Sequence, residues 1–251
     1  MVVAIALFVL FLCAAVTMAN ADSPDVVNIA PVWSGHPVGF HLVTRGNKQY
    51  AAFYDTNRQM TVAVRNLNLT SWRFHRLPET VAWDSHNYIT FAFDRDGYIH
   101  LSGNMHGHKL KYFKSTQPED IFSLERVESM VAEREGHVTY PHFLTNHAGD
   151  LIFTYRDGGS SMGDQLYNIY DASTRQWHRQ LETPFTDGKG LMNAQFNGPH
   201  KGPNGWFHIV FMWRDTPDCA ANHDISYART RDLVHWEDAF GNPLTRFPLL
   251  L

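Results

Sequence analysis

Asn146-His-Ala-Gly149-Asp-Leu-Ile-Phe-Thr-Tyr155 reads as a tight turn running into a strand, and the chain repeats this reading three more times. The other copies are Gly46-Asn-Lys-Gln-Tyr50-Ala-Ala-Phe-Tyr54, Gly97-Tyr-Ile-His-Leu-Ser102 and Gly205-Trp-Phe-His-Ile-Val-Phe211, and their glycines are 51, 52 and 56 residues apart. Glycine suits a turn that needs a positive φ, and the apolar, aromatic runs that follow favour a pleated, half-buried strand. Each run is preceded by another strand-like segment: Val38 to Val43, Tyr88 to Phe93, Tyr140 to Leu144 and Asn193 to Phe196. Each pair is therefore a predicted hairpin.

A third strand follows in each unit (Met60 to Val64, Leu110 to Phe113, Leu166 to Tyr170, Ile225 to Ala228), then a short fourth near Trp72, Phe122, Trp177 or Trp236. Four strands recurring at about 50 residues describe blades, here 30–78, 79–128, 129–182 and 183–240. A β-sandwich also has short, regularly spaced strands, but needs no such internal period. The fold expected is all-β, a β-propeller of four-stranded blades, with Met130 to Glu135 the one mature segment that leaves room for a helical turn. The chain stops after the fourth unit at Phe247-Pro-Leu-Leu-Leu251, so the propeller is expected to be incomplete at its C-terminus.

Residues 1–21 hold an unbroken apolar stretch from Val2 to Val16 and end at Ala19-Asn20-Ala21, the pattern of a cleaved signal peptide. About 15 apolar residues fall short of the ~20 a spanning helix needs, so a secreted protein with no membrane partner is expected. Cys13 lies in that leader, which leaves Cys219 without an intrachain partner. The net charge is -4 and the basic residues are dispersed, which argues against a nucleic-acid partner.

In a blade the start of the first strand and the end of the second share one rim. That rule gathers His36, His41, Tyr54 and Asp55 from the first unit, and His86, Asn87, Asn104, His106 and His108 from the second. The third adds Tyr140, His142, Arg156 and Asp157, and the fourth Asn193, Gln195, Arg214 and Asp215. Convergent His, Tyr, Arg and Asn around one mouth mark a binding or catalytic site.

Asp84-Ser-His86-Asn-Tyr-Ile, Asp94-Arg-Asp-Gly97-Tyr-Ile-His-Leu-Ser-Gly103-Asn-Met-His106, Thr139-Tyr140-Pro-His-Phe, Phe153-Thr-Tyr-Arg156-Asp-Gly and Asn222-His-Asp-Ile-Ser-Tyr-Ala-Arg229 resemble the BNR-repeat-containing family that includes ulvan lyases. The resemblance runs over about residues 30 to 240 and implies a seven-bladed propeller that cuts acidic polysaccharide by β-elimination. It also implies two histidines about twenty residues apart, then a tyrosine and an arginine about sixteen beyond it, a pattern met by His86, His106, Tyr140 and Arg156.

Elimination beside a uronate must remove the C5 proton, hold the enolate-like charge and protonate the leaving oxygen. A guanidinium matched to the carboxylate spreads that charge, a role for Arg156. His86 and Tyr140 are the expected base and acid pair, in either order depending on the C5 epimer. His106, with Asn87, Asn104, His142, Asn193 and Arg214, is expected to bind substrate. The chemistry requires no cofactor, although some related lyases use calcium. Separately, Cys219 and His223, with His200, are candidate ligands for a structural zinc.

Two other readings fit a propeller. A sialidase-like hydrolase would use tyrosine and an arginine cluster, but Ser173-Thr-Arg-Gln-Trp177 and Arg231-Asp-Leu-Val-His-Trp236 only distantly echo its Asp-box turn. A non-catalytic carbohydrate-binding propeller would use the same rim for hydrogen bonds alone.

Overall fold

The computed structural model describes residues 26–250, so the leader read at 1–21 lies outside the described residues. Four antiparallel sheets follow one another along the chain. The first comprises β1 (His41–Arg45), β2 (Lys48–Tyr54), β3 (Gln59–Asn66) and β4 (Arg73–Thr80). In the second, β5 (Ile89–Phe93) and β6 (Ile99–Gly103) pair with each other, and after a short excursion, β7 (His106–His108), come β8 (Tyr112–Ser115) and β9 (Leu124–Val127). The third holds β10 (Val138–Thr145), β11 (Leu151–Asp157), β12 (Asp164–Asp171) and β13 (Gln176–Arg179). The fourth holds β14 (Asn193–Lys201), β15 (Phe207–Arg214), β16 (Asn222–Thr230), β17 (Trp236–Glu237) and β18 (Pro243–Leu244).

These are propeller blades, and the repeat read from the glycines is the repeat of the fold. Gly46, Gly97, Gly149 and Gly205 all sit between the first and second strands of successive blades, with φ of 57°, 89°, 85° and 77°. Two sheets depart from four strands: β18 adds a fifth to blade four, and β7 leaves blade two to pair with β10 of blade three. Met130 to Glu135 forms no helix. Ala132 and Arg134 have φ of 63° and 57°, and the Glu135 carboxylate accepts the Met130 and Val131 backbone N–H groups instead. Among the described residues no helix is long and apolar enough to cross a membrane.

The core lies between blades, because each sheet buries residues on the face turned to its neighbour. Strand β15 shows the alternation: Phe207, Ile209, Phe211 and Trp213 are buried, while His208, Val210, Met212 and Arg214 take the other face. They meet Ile152 and Tyr167 of the preceding blade and Phe185 of the connection between the two. Tyr50, Met60, Val62, Phe91, Ile99 and Leu101 fill the gap between blades one and two. Met105, Tyr112, Val138, Phe153 and Trp177 fill that between two and three.

Candidate active site

The excursion of β7 builds the site. Thr139 pairs with His106 and Val138 with His108, and the Gly107 N–H donates to Thr139 Oγ1 at 2.8 Å. A residue of blade two is thereby fixed one position from Tyr140 of blade three. The β10–β11 register then shifts between Thr139 and His142, and Tyr140 sits in that bulge at φ 56°. A left-handed tyrosine ahead of a proline is strained by roughly 1–3 kcal/mol, and such strain persists where surrounding structure imposes it, characteristically at functional sites.

Four residues assemble around this bulge. The His86 and His106 rings stack with centroids 4.1 Å apart, and the Tyr140 ring lies 5.6 Å from that of His86. The Arg156 guanidinium carbon stands 5.0 Å from the centre of the Tyr140 ring. Arg156 comes from the end of β11, opposite Thr139 in the ladder, so strand starts and ends meet on one rim as expected.

Asp84, which the sequence reading passed over, organises the pair. Its two oxygens take the Nδ1 atoms of His86 and His106 at 2.6 and 2.5 Å, and it also accepts the His86 backbone N–H. Burial raises the Asp84 carboxyl pKa, but these hydrogen bonds outweigh it and hold the group well below the usual carboxylate range. An ionised Asp84 receives Nδ1–H from each ring, so Nε2 is the acceptor nitrogen of either imidazole in its neutral form. Among the described residues this trio alone has metal-ligating atoms in reach of one another. Separations of 2.5–2.6 Å are those of direct hydrogen bonds, whereas two ligands about 2.0 Å from a tetrahedral ion stand ~3.3 Å apart. In this arrangement Asp84 fixes the tautomer of both rings.

Arg156 is 3% exposed, makes no ion pair among the described residues, and its Nε has no hydrogen-bond partner there. Burial, with the charge of Arg214, pushes its pKa down from the ordinary arginine value. It lines a cavity of about 190 Å³ with Tyr88, Tyr140, His142, Gln165, Asn197 and His200, and no acidic residue faces this space. An unpaired buried guanidinium in a cavity without acids is a receptor for an anion. Larger hollows lie elsewhere. One of about 620 Å³ contains the Lys48–Glu119 ion pair, and another of about 300 Å³ is lined mainly by apolar groups such as Ile29 and Phe53.

The remaining expected residues divide. His142 lines the cavity, and burial, aided by the charges of His200 and His41, pushes its pKa down to about 4. Arg214 donates from Nε to Asn222 Oδ1 at 2.7 Å and lies near Arg156. Asn87 is buried, with its carbonyl taken by the Tyr54 hydroxyl at 2.7 Å and its Oδ1 unpartnered among the described residues.

Asn104 and Asn193 make hydrogen bonds within the fold. Asn104 Nδ2 donates to Glu79 and to the Thr80 carbonyl, tying blade two to blade one, and Asn193 Oδ1 accepts the Ser161 N–H. The proposed zinc trio does not converge either. His223 lies between Asp215 and Asp224, Cys219 is exposed, and His200 bonds Asn197. His223 pairs with Trp213 and His200 with His208, which places them about 16 Å apart along β15.

The blades thus carry a cationic, imidazole-lined cavity at one rim. Residues 48–250 match the BNR repeat-containing family, and the chain belongs to it. It is 30% identical over 127 residues to an ulvan lyase, short isoform, of Alteromonas sp. (strain LOR), a match covering 45% of this chain and 23% of that protein. Among solved structures it is similar to the polysaccharide lyase Uly1, with TM-score 0.71, 20% identity, and coverage of 94% of this chain and 62% of that one. A PL25 ulvan lyase superposes with TM-score 0.64 at 16% identity over 89% of this chain and 57% of its own. The chain thus spans less than two thirds of these relatives, and at these identities the two solved structures establish the fold alone.

Proposed function

We propose that this chain carries the catalytic cluster of a secreted polysaccharide lyase that cleaves a uronate-containing acidic polysaccharide by β-elimination. The observation that carries this reading is Arg156, a buried cation with no acidic partner among the described residues, against the ring of Tyr140 and beside two histidines that Asp84 holds by Nδ1. The uronate carboxylate pairs with Arg156, which draws charge from C5. One member of the His86–Tyr140 pair takes the C5 proton. The electrons of that bond form the C4–C5 double bond, the C4–O bond breaks, and the other member protonates the departing oxygen. His86 is competent as base through Nε2 because Asp84 holds its Nδ1–H, and Tyr140 can deliver or accept through its hydroxyl. His106, His142 and Arg214 are assigned to substrate contacts. No step calls for a metal ion.

The lyase-type relatives support the class, and one neighbour is described as bound to -[GlcA(1-4)Rha3S]-. The test is the ultraviolet absorbance of a double bond conjugated to a carboxylate when the protein meets glucuronate polysaccharide. Hydrolysis would release reducing ends without that absorbance, and simple binding would release neither.

A further inference from the structure

The turn that carries Asp84 and His86 also carries Trp83, whose side chain the catalytic cluster does not use. Trp83 is 65% exposed, an unusual state for the largest apolar side chain. It is nevertheless held in place. Trp33 meets it edge-to-face at 5.2 Å and 80°, and His36 does so at 5.7 Å and 71°. Trp33 is itself fixed from below, because Gly35 lies so close that a Cβ there would come within 2.5 Å of the indole. The Trp33 backbone N–H donates to the Tyr54 carbonyl, and the Tyr54 hydroxyl donates to the Asn87 backbone carbonyl, so the aromatic group belongs to the same rim as the histidines.

We infer that Trp83, backed by Trp33 and His36, is a stacking platform for a pyranose ring next along the glycan whose uronate sits at Arg156. This rests on the lyase reading for the position of the uronate. A rigid aromatic face with an open side matches the C–H face of a sugar, and needs little ordering on binding. Trp83 directly precedes Asp84, so the platform and the carboxylate that holds the histidine pair share one turn. The cavity of His142, Asn197 and His200 is lined mainly by residues of blades three and four, while Trp83 packs on Trp33 and His36 ahead of the first strand of blade one. A chain crossing the site therefore runs from that cavity, over His86 and His106, onto the indole.

The test is calorimetric titration of glucuronate oligosaccharides of two and six sugars into the chain bearing Tyr140→Phe, which prevents turnover, and into the same protein with Trp83→Ala or Trp83→Phe added. The hexasaccharide is expected to lose about tenfold in affinity with Trp83→Ala and to regain most of it with Trp83→Phe, while the disaccharide changes little. Unchanged hexasaccharide affinity in Trp83→Ala, or no binding by any form, overturns the platform. The lyase reading is judged apart, by the unsaturated product from the unsubstituted protein. Absence of that product with a Trp83-dependent affinity removes the chemistry and leaves the platform standing.

Discussion

Blade two contributes to two aspartate–histidine assemblies that use the same residue types to opposite ends. At the rim, Asp84 binds His86 and His106 through Nδ1, and the three side chains remain 30–38% exposed. Between blades two and three, Asp94 faces His100 at 3.3 Å with side chains 2% and 0% exposed. There Trp177 Nε1–H donates to the Tyr112 hydroxyl at 3.1 Å, Tyr112 to His100 Nδ1 at 2.7 Å, and His100 Nε2–H to Asp94. Burial pushes the His100 pKa down despite Asp94, so the ring is neutral and both nitrogens are engaged. The rim assembly leaves each imidazole one free nitrogen and is available for chemistry. The buried relay leaves none, and cross-links two blades.

The largest effect that separates the two is on stability. His100→Ala opens a cavity and leaves Asp94 and Tyr112 without their shared partner, a loss of about 3–5 kcal/mol. Chemical denaturation should show this, while the folded fraction keeps its turnover. Arg156→Lys should do the reverse, lowering turnover by ~10²-fold or more with a small change in melting temperature, because an ammonium cannot reproduce the planar fork. If Arg156→Lys kept full turnover, the rim would lose its catalytic assignment and the contrast would collapse.

What the sequence revealed follows the same division. Gly46, Gly97, Gly149 and Gly205 were legible because a positive φ restricts the residue choice wherever it recurs, so the blades could be counted. His86, His106, Tyr140 and Arg156 were singled out by the rim rule together with the spacing that the family resemblance implies. Strand β7 was not legible, since three residues with a central glycine carry no alternation to read. Asp84 was missed because its second histidine is 22 residues away, a pairing that exists only once β7 crosses to blade three. The bonds that Asn104 and Asn193 make within the fold were not legible either, because rim position says nothing about whether a side chain already has partners. His200, set aside for zinc, reached the cavity only through the pairing of β14 with β15.

His142 sits between the extremes, a cavity histidine with no carboxylate bonded to it among the described residues, and it sharpens the comparison through pH. Its folded pKa is depressed to about 4 by burial, against an ordinary 6.5. Between those values the unfolded chain binds a proton that the folded chain refuses. The stability tied to the neutral ring is therefore complete above pH 6.5 and is lost as pH falls toward 4. Discounted for partial exposure, the loss near the lower limit is about 2 kcal/mol. Melting temperatures followed downward from pH 7 should fall more steeply in the unsubstituted protein than in His142→Phe. Parallel slopes would show that the ring is hydrated and the cavity more open than described.

The smallest expected effect tests how tightly the rim is set. A Cβ on Gly163 would stand 2.8 Å from both Cγ and Cδ of Arg156 and 2.9 Å from the Gly159 carbonyl oxygen. Backbone on one side cannot yield easily, so the arginine stem must move, and its guanidinium, with no acidic partner to hold it, moves as well. Gly163→Ala should cost about 1 kcal/mol of stability from overpacking. Turnover should fall roughly tenfold, because a misplaced charge stabiliser loses most of its effect over a fraction of an ångström. Gly136→Ala supplies the comparison, since a Cβ there meets nothing within 4 Å and should change neither quantity. Equal turnover in the two alanine variants, with Gly163→Ala less stable, would mean that Arg156 adapts its position to the ligand, and the rim would then resemble a flexible anion clamp more than a preorganised catalytic site.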